Sequence, residues 1–264
     1  MLELVNLTHT FGRGTPVEKA ALRRISLRLE PGEFSCLVGS NGAGKSTLLG
    51  AVAGAFLPDH GRVLIGDKDI TRLPEHRRAH LVGRVFQNPL QGTAPGMTVE
   101  ENLALAAQRG RRLGLRPLLT KGSRAWLRER LAGLGLGLED RLAAKVGLLS
   151  GGQRQALTLL MATVSRPEVL LLDEHTAALD PATAERVVEL TTQLVEELHL
   201  TTLMVTHNLD QAIALGHRLL MMHDGEVVLD LRGQQKSSLT VGGLRSEFER
   251  VRGVAFTYDR AVLA

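Results

Sequence analysis

The sequence has few of the features that mark secreted or membrane-spanning proteins. Its 264 residues include a single cysteine, Cys36, which excludes an internal disulfide and predicts a reducing compartment. Because Cys36 lies in an apolar run, we expect a buried structural thiol. The longest apolar runs, such as 169–172 and 219–222, are far too short to cross a bilayer, and the first residues do not form a secretory signal. These absences predict a cytoplasmic protein.

Net charge is also small, with 32 Lys and Arg against 28 Asp and Glu. This balance does not indicate a nucleic-acid partner, and none is expected. One local exception lies between residues 109 and 130, where a basic run either faces phosphates of anionic lipid or nucleic acid, or forms a solvated surface. Its cationic residues are Arg109, Arg111, Arg112, Arg116, Lys121, Arg124, Arg128 and Arg130.

What the sequence does contain is an alternation of short apolar runs and helical segments, which predicts an α/β fold with a mostly parallel sheet. Strands are expected at 2–7, 25–29, 34–38, 62–65, 168–172 and 202–205. Helices are expected at 46–53, 151–164, 181–198 and 209–215. Thr98 and Glu101 have the spacing of a capping box, Asp180 precedes a proline as a helix N-cap should, and Asp224-Gly225 predicts a hairpin turn.

Residues 39–46 match a phosphate-binding P-loop that follows an apolar strand and opens a helix. The glycines allow backbone N–H groups to close around phosphate oxygens, and the helix directs its positive end at them. Lys45 is expected at the β- and γ-phosphates and Ser46 at Mg²⁺, whereas the alternative is a plain glycine-rich turn. The predicted nucleotide-binding residues are Gly39, Ser40, Asn41, Gly42, Ala43, Gly44, Lys45, Ser46 and Thr47.

Two adjacent acids, Asp173 and Glu174, end the apolar strand at 168–172. Ligands of open α/β sheets bind at the carboxyl ends of the strands. One acid can hold Mg²⁺ while the other polarises the attacking water. Acids at the end of a buried strand are common, so this interpretation depends on the P-loop.

A second potential anion site is the run Leu-Ser-Gly-Gly-Gln at 149–153, which opens a helix. Its predicted nucleotide-binding residues are Ser150, Gly151, Gly152 and Gln153. Within one chain it would duplicate the P-loop, so it makes sense if it serves a nucleotide held by another subunit. The alternative is an ordinary loop and helix cap.

In this order and spacing, the motifs resemble the ATP-binding-cassette (ABC) ATPases over roughly residues 1–232. The resemblance identifies Gln87 as the Q-loop residue, with a part in catalysis and Mg²⁺ binding, and His207 as the switch histidine. It places Asp180 in the D-loop and Phe11 where an aromatic ring stacks on adenine, although Phe11 could be a core residue or could simply cover a loop. His175 stands where many members have proline, and we expect a local backbone variation there rather than a second catalytic base.

The resemblance implies a P-loop NTPase (ABC ATPase) core with an N-terminal antiparallel β subdomain and an inserted helical subdomain. We expect one domain over 1–264, with the core and β subdomain at 1–88 and 163–232, the helical subdomain at 89–162 and a tail at 233–264. ATP and Mg²⁺ are the implied cofactors, and the implied assembly is a homodimer with each ATP between one P-loop and the partner's signature. Glu174 is then the catalytic carboxylate, supported by Lys45, Gln87 and His207.

The leading functional hypothesis is the ATPase of a transporter, peripheral on the inner face of the cell membrane and bound to separate permease subunits. The runs at 172–181, 203–208 and 221–225 resemble uptake ATPases that partner a branched-chain-amino-acid-type permease and a substrate-binding lipoprotein. The expected solute is small, for example an amino acid. The alternatives are an export or lipoprotein-release ATPase, and an ABC ATPase of translation or DNA repair.

Overall fold

The computed structural model describes residues 1–110 and 118–252, which divide into two compact units. The first unit combines the chain up to Arg78 with the chain from Leu200 onwards, and the second covers Ala79–His199. The strands are β1 (Leu2–Phe11), β2 (Lys19–Leu29), β3 (Phe34–Gly39), β4 (His60–Ile65), β5 (Lys68–Asp69), β6 (Val82–Val85), β7 (Val169–Asp173), β8 (Thr201–Val205), β9 (Arg218–His223) and β10 (Glu226–Arg232). The helices are α1 (Lys45–Ala53), α2 (Glu75–Arg78), α3 (Val99–Ala106), α4 (Lys121–Ala132), α5 (Gly151–Thr163), α6 (Pro181–Leu198), α7 (Leu209–Ala214), α8 (Gly233–Ser237) and α9 (Val241–Arg252).

The first unit contains an antiparallel sheet in the order β2-β1-β4-β5. Alternate apolar residues of β1, among them Leu2 and Leu4, are buried, as expected for a sheet that covers a core on one face. The register between β1 and β2 shifts between Leu4 and Leu7 and twice more before Phe11. Such irregularities are typical of β-bulges, and here both strands continue beyond the predicted 2–7 and 25–29.

The first unit also contains the strands β10-β9-β3-β8 in that order, with β3 parallel to both β8 and β9. Every residue of β3 is buried, which explains its continuous apolar sequence. Cys36 in β3 is buried as predicted, and burial raises the pKa of its thiol to about 12, so the thiolate does not form at neutral pH. The predicted turn at Asp224-Gly225 joins β9 to β10, and both of its residues have positive φ.

The second unit is mainly helical around the parallel pair β6 and β7. The predicted capping box is confirmed, since the Thr98 backbone N–H donates to Glu101 Oε2 (2.7 Å) and the Glu101 N–H donates to Thr98 Oγ1 (3.3 Å). Asp180 caps α6, which starts at a proline as predicted. The predicted subdomain boundaries at 88, 162 and 232 divide the chain differently from the two units and stay a prediction.

Taken element by element, both units are α/β, in agreement with the predicted fold class. In the described ranges, no helix has both the length and the apolar composition that a membrane span requires.

Candidate functional site

The P-loop connects β3 to α1 in the first unit, and its glycines are required by the backbone. Gly42 and Gly44 have φ values of 76° and 101°, which side-chain-bearing residues rarely adopt. A Cβ atom on Gly44 would overlap the carbonyl oxygen of Ala21, and one on Gly39 would overlap that of Met222. The loop therefore packs directly against the backbones of β2 and β9.

Lys45 is the first residue of α1 and is buried. Its ammonium group donates hydrogen bonds to the carbonyl oxygens of Gly39 (2.8 Å) and Ser40 (3.1 Å). These bonds hold the positive charge at the P-loop. Ser46 follows in the first helical turn. A lysine at a helix N-terminus inside a glycine-rich loop is the arrangement that binds phosphate oxygens.

His207 lies in the same unit, between the end of β8 and the start of α7. Because β8 is parallel to β3, with Val205 opposite Leu37, His207 and the P-loop follow the carboxyl ends of neighbouring strands. The backbone on both sides is fixed, since the Asn208 N–H donates to Thr206 Oγ1 (3.1 Å) and the Asn208 side chain caps α7.

Phe11, the predicted adenine-stacking residue, is 45% exposed, which excludes the alternative that it is a core residue. Its ring meets His9 edge to face with 4.6 Å between centroids, and His9 stacks on Phe56 at 4.2 Å. The ring is therefore held on one side by aromatic neighbours and remains open to a ligand.

Lys19 is a further cation at the P-loop that the sequence did not indicate. It lies opposite Phe11 in the β1–β2 ladder, and its Nζ is 3.0 Å from the place that a Cβ on Gly42 would take. The position of Lys19 next to the P-loop could not be predicted, because the register of β1 and β2 shifts three times and cannot be inferred from the sequence pattern.

In the second unit, Asp173 is the last residue of β7, Glu174 follows it, and Gln87 follows β6. Since the two strands are parallel, with Val85 opposite Leu172, these residues lie at the same carboxyl end of the strand pair. Asp173 is buried and pairs with Arg84 of β6 (Nη2–Oδ2 3.6 Å). The Arg84 guanidinium also lies 4.5 Å from the centre of the Phe86 ring. Like Lys19, Arg84 was not singled out by sequence patterns.

Glu174 has a φ of 45°, in the left-handed region, and its carbonyl accepts a hydrogen bond from the Ala177 N–H (3.0 Å). His175 is buried, and its Nε2 lies 3.0 Å from Thr191 Oγ1 of α6. Burial lowers the pKa of His175 to about 4, so the ring is neutral at physiological pH. A buried, neutral ring engaged by a threonine has the surroundings of a structural group.

Ser150 is the N-cap of α5, and its hydroxyl accepts from the Gln153 N–H (3.2 Å), while Gln153 Oε1 accepts from the Ser150 N–H (3.3 Å). The run at 149–153 thus includes the helix cap named as its alternative reading. Ser150 and Gly151 are exposed. A Cβ on Gly152 would overlap the Thr183 side chain, which explains the second glycine by close packing of α5 on α6.

The described members of the basic run mostly contact the protein itself. Arg124 makes a two-point contact with Glu100 (2.8 and 3.0 Å), Arg109 donates to the Met161 carbonyl (2.8 Å), and Arg128 donates to the Glu139 carbonyl (3.2 Å). Three others lie outside the described residues: Arg111, Arg112 and Arg116.

The predicted Mg²⁺ ligands provide one hydroxyl, one amide and one carboxylate oxygen, from Ser46, Gln87 and Asp173. This set suits Mg²⁺, which takes oxygen ligands and usually keeps several waters and substrate phosphates in its shell. Within residues 1–110 and 118–252, no group of three or more His, Cys, Asp or Glu side chains could hold a metal ion.

Comparison with known proteins gives concordant results. The family model described as ABC transporter matches residues 22–177. A tyrosine transport ATP-binding protein of Clostridioides difficile is 46% identical over 94% of this chain and 99% of its own length. A thiamine import ATP-binding protein of a Chelativorans species is 40% identical over 78% of this chain and 79% of its own.

Solved structures include a dimeric ATP-binding cassette in a post-hydrolysis state with ADP and phosphate. It has a TM-score of 0.76 and 30% identity, and the match covers 88% of this chain and 98% of that one.

Proposed function

Because this chain belongs to the ABC transporter family, as an ATP-binding subunit with ATPase activity, we propose that its ATP hydrolysis drives uptake of an amino acid through separate membrane subunits. The predicted P-loop NTPase fold is confirmed by the solved cassettes. The observation that carries the choice of solute is the likeness to the tyrosine transport protein, which spans nearly the whole of both chains.

In the proposed reaction, Lys45 binds the β- and γ-phosphates while the backbone N–H groups of the P-loop enclose them. The Glu174 carboxylate orients the attacking water and accepts its proton, and His207 contacts the γ-phosphate. Ser46, Gln87 and Asp173 would hold Mg²⁺. When bound, the ion would supply positive charge that offsets the charge developing on the phosphate oxygens.

We further propose a homodimer in which the signature of one subunit faces the nucleotide at the partner's P-loop. The exposure of Ser150 and Gly151 supports this, because a contact to a second chain requires a surface position. Dimeric cassettes among the similar structures support the same assembly. We also keep the subdomain division predicted from the family resemblance, with 89–162 as the helical subdomain and 233–264 as the tail.

Import is proposed over export because two of the similar proteins are named as import proteins, for thiamine and for 2-aminoethylphosphonate. An importer implies permease subunits, a peripheral position on the inner face of the membrane and a substrate-binding lipoprotein.

The test is transport in vesicles that contain this subunit together with a candidate permease and binding protein. We expect ATP-dependent accumulation of labelled tyrosine or another amino acid, and its loss with Glu174→Gln. As a matched control, Glu185→Gln changes an exposed glutamate of α6 and should transport normally. ATP-dependent loss of preloaded solute from cells, or uptake of thiamine and no amino acid, would contradict the proposal.

A further inference from the structure

We propose that His175 is a positioning residue for hydrolysis: its hydrogen bond to Thr191 ties the turn that carries Glu174 to α6. This inference rests on the proposed role of Glu174. His175 directly follows Glu174 and is 3% exposed, although the proposed reaction assigns it no contact with nucleotide or water.

The turn needs an anchor because its first residue has an unusual backbone. Glu174 has a φ of 45°, a conformation that side-chain-bearing residues seldom adopt and that persists where surrounding contacts hold it. On one side, Glu174 follows the fully buried strand β7. On the other, the turn closes through the hydrogen bond from the Ala177 N–H to the Glu174 carbonyl (3.0 Å).

Thr191 provides that anchor from the interior of α6. Its hydroxyl donates its proton to the Val187 carbonyl (2.7 Å), so its oxygen can only accept from the His175 ring, 3.0 Å away. The arrangement therefore requires a proton on His175 Nε2. Thr191 is 1% exposed in an 18-residue helix, which makes it a fixed point.

The same helix also fixes the far end of the segment that begins at Glu174. Asp180 accepts from the Thr183 N–H (3.1 Å) and caps α6. The chain from Glu174 to Asp180 is thus held at its end by a cap and near its start by His175. A substitution of His175 that removes its hydrogen bond to Thr191 releases the start of this segment, while the Asp180 cap still holds its end.

Freeing the start should affect the chemical step more than nucleotide binding. A general base acts over heavy-atom distances of roughly 2.6–3.2 Å, and displacement of a reacting group by about 1 Å can reduce a rate about 100-fold. The P-loop, which carries Lys45, belongs to a different part of the chain and keeps its own hydrogen bonds. Loss of the bond should therefore lower kcat and leave KM for ATP nearly unchanged.

The experiment compares four single variants of the full chain, and the double variant His175→Leu with Thr191→Val, for steady-state ATP hydrolysis. His175→Leu removes the ring nitrogens, and Thr191→Val removes the hydroxyl with little change of shape. His175→Gln can restore a donor, since its amide nitrogen can reach the place of Nε2. Thr163→Val is the matched control, because Thr163 is also buried on a helix and bonds a helix carbonyl (2.9 Å), but α5 carries it and His175 does not contact it.

We expect kcat to fall roughly 10- to 100-fold in His175→Leu and Thr191→Val, with KM for ATP within about two-fold of the original. His175→Gln should recover most of the rate, and the double variant should be no worse than the poorer single one, because both remove the same bond. Thr163→Val should keep kcat. If His175→Leu does not fold, Thr191→Val decides alone.

Normal kcat per folded molecule in Thr191→Val, or an equal loss in Thr163→Val, would overturn the inference. Glu174→Gln is measured in parallel. If it abolishes turnover while Thr191→Val is normal, only the positioning role fails. If Glu174→Gln itself hydrolyses ATP normally, the proposed role of Glu174 fails first.

Discussion

At the scale of the residue, the two adjacent acids are suited to different tasks by their surroundings. Asp173 is buried at the end of β7 and pairs with Arg84, which holds its side chain in place. Glu174 begins a turn in a left-handed conformation, which turns the chain away from the strand axis. A fixed anion suits a metal ligand, whereas a carboxylate on a turn suits contact with a water molecule.

The first prediction concerns Glu174→Gln. The amide keeps the size and much of the hydrogen bonding of the carboxylate but cannot accept the proton of water, so turnover should fall by at least about 100-fold. ATP binding should persist, and an ATP-bound dimer should accumulate on gel filtration. Hydrolysis close to that of the unchanged protein would disprove the assignment.

A second prediction concerns Lys19, beside the P-loop. Exchange for methionine removes one exposed positive charge near the phosphates, which corresponds to about 0.5–1 kcal/mol or roughly a two- to five-fold weaker affinity. Both ATP and ADP should be affected, more at low salt than at high salt, when measured by titration calorimetry. Lys68→Met, an exposed lysine on β5, is the control. Equal affinities of the two variants would exclude a contact from Lys19.

At the scale of the element, sequence patterns were most informative where the signal is local. The capping box at Thr98, the proline start of α6 and the Asp-Gly turn at residue 224 each depend on a few neighbouring residues, and each is present. Strand β6 was not predicted, because it has four residues and includes Gly83 and Arg84. Its existence depends on pairing with β7, and a glycine is needed there because a Cβ would overlap the Ala162 carbonyl.

The same distinction applies to the site. Contiguous motifs locate Lys45, Glu174 and Ser150, because the chemistry needs those residues within a short run. Lys19 and Arg84 could not be found this way. Lys19 reaches the P-loop from β2, and Arg84 reaches Asp173 from β6. Each contact crosses a strand pair, and strand register is a tertiary property.

Helix α7 shows how the tail contributes to the site region. Lys236 of α8 is buried, and its ammonium donates to the carbonyls of Ile213 (2.7 Å), Leu215 (2.6 Å) and Gly216 (3.0 Å) at the end of α7. A cation at a helix C-terminus satisfies carbonyls that have no partner within the helix. Asn208, the N-cap of α7, directly follows His207, so the tail holds the far end of the helix that starts beside this histidine.

The third prediction is that Lys236→Met lowers the free energy of unfolding by about 2 kcal/mol, since a hydrogen bond from a charged group contributes about 1.5–3 kcal/mol and the freed carbonyls lose their partner. Urea unfolding followed by circular dichroism measures this. Lys68→Met, at an exposed position, should be within about 0.5 kcal/mol of the original. If the urea concentrations at the unfolding midpoint are the same for Lys236→Met and Lys68→Met, the hydrogen bonds of Lys236 do not contribute to stability.

At the scale of the whole molecule, the chain contains two glycine-containing motifs at helix starts, and one nucleotide needs only one P-loop. In the proposed symmetric dimer each motif is present twice, and two equivalent composite sites would form where the signature of each subunit meets the partner's nucleotide. In the proposed cycle, ATP favours the closed dimer through contacts that exist only in that state, and hydrolysis releases them. This cycle is the mechanical output proposed for transport.

The last prediction tests the composite site by mixing subunits. Ser150→Arg places a bulky cation at the start of α5, so it should abolish hydrolysis although the P-loop is unchanged; Ser238→Arg, an exposed serine in the tail, should not. Lys45→Ala should abolish it from the other half of the site. In an equal mixture, about half of the dimers combine one chain of each kind, and each of these has one intact site and one with both changes. If a single intact site can hydrolyse ATP, the mixture should recover up to about a quarter of the original activity, although neither variant is active alone. Normal dimerisation and turnover by Ser150→Arg alone would show that the signature does not contact the partner's nucleotide.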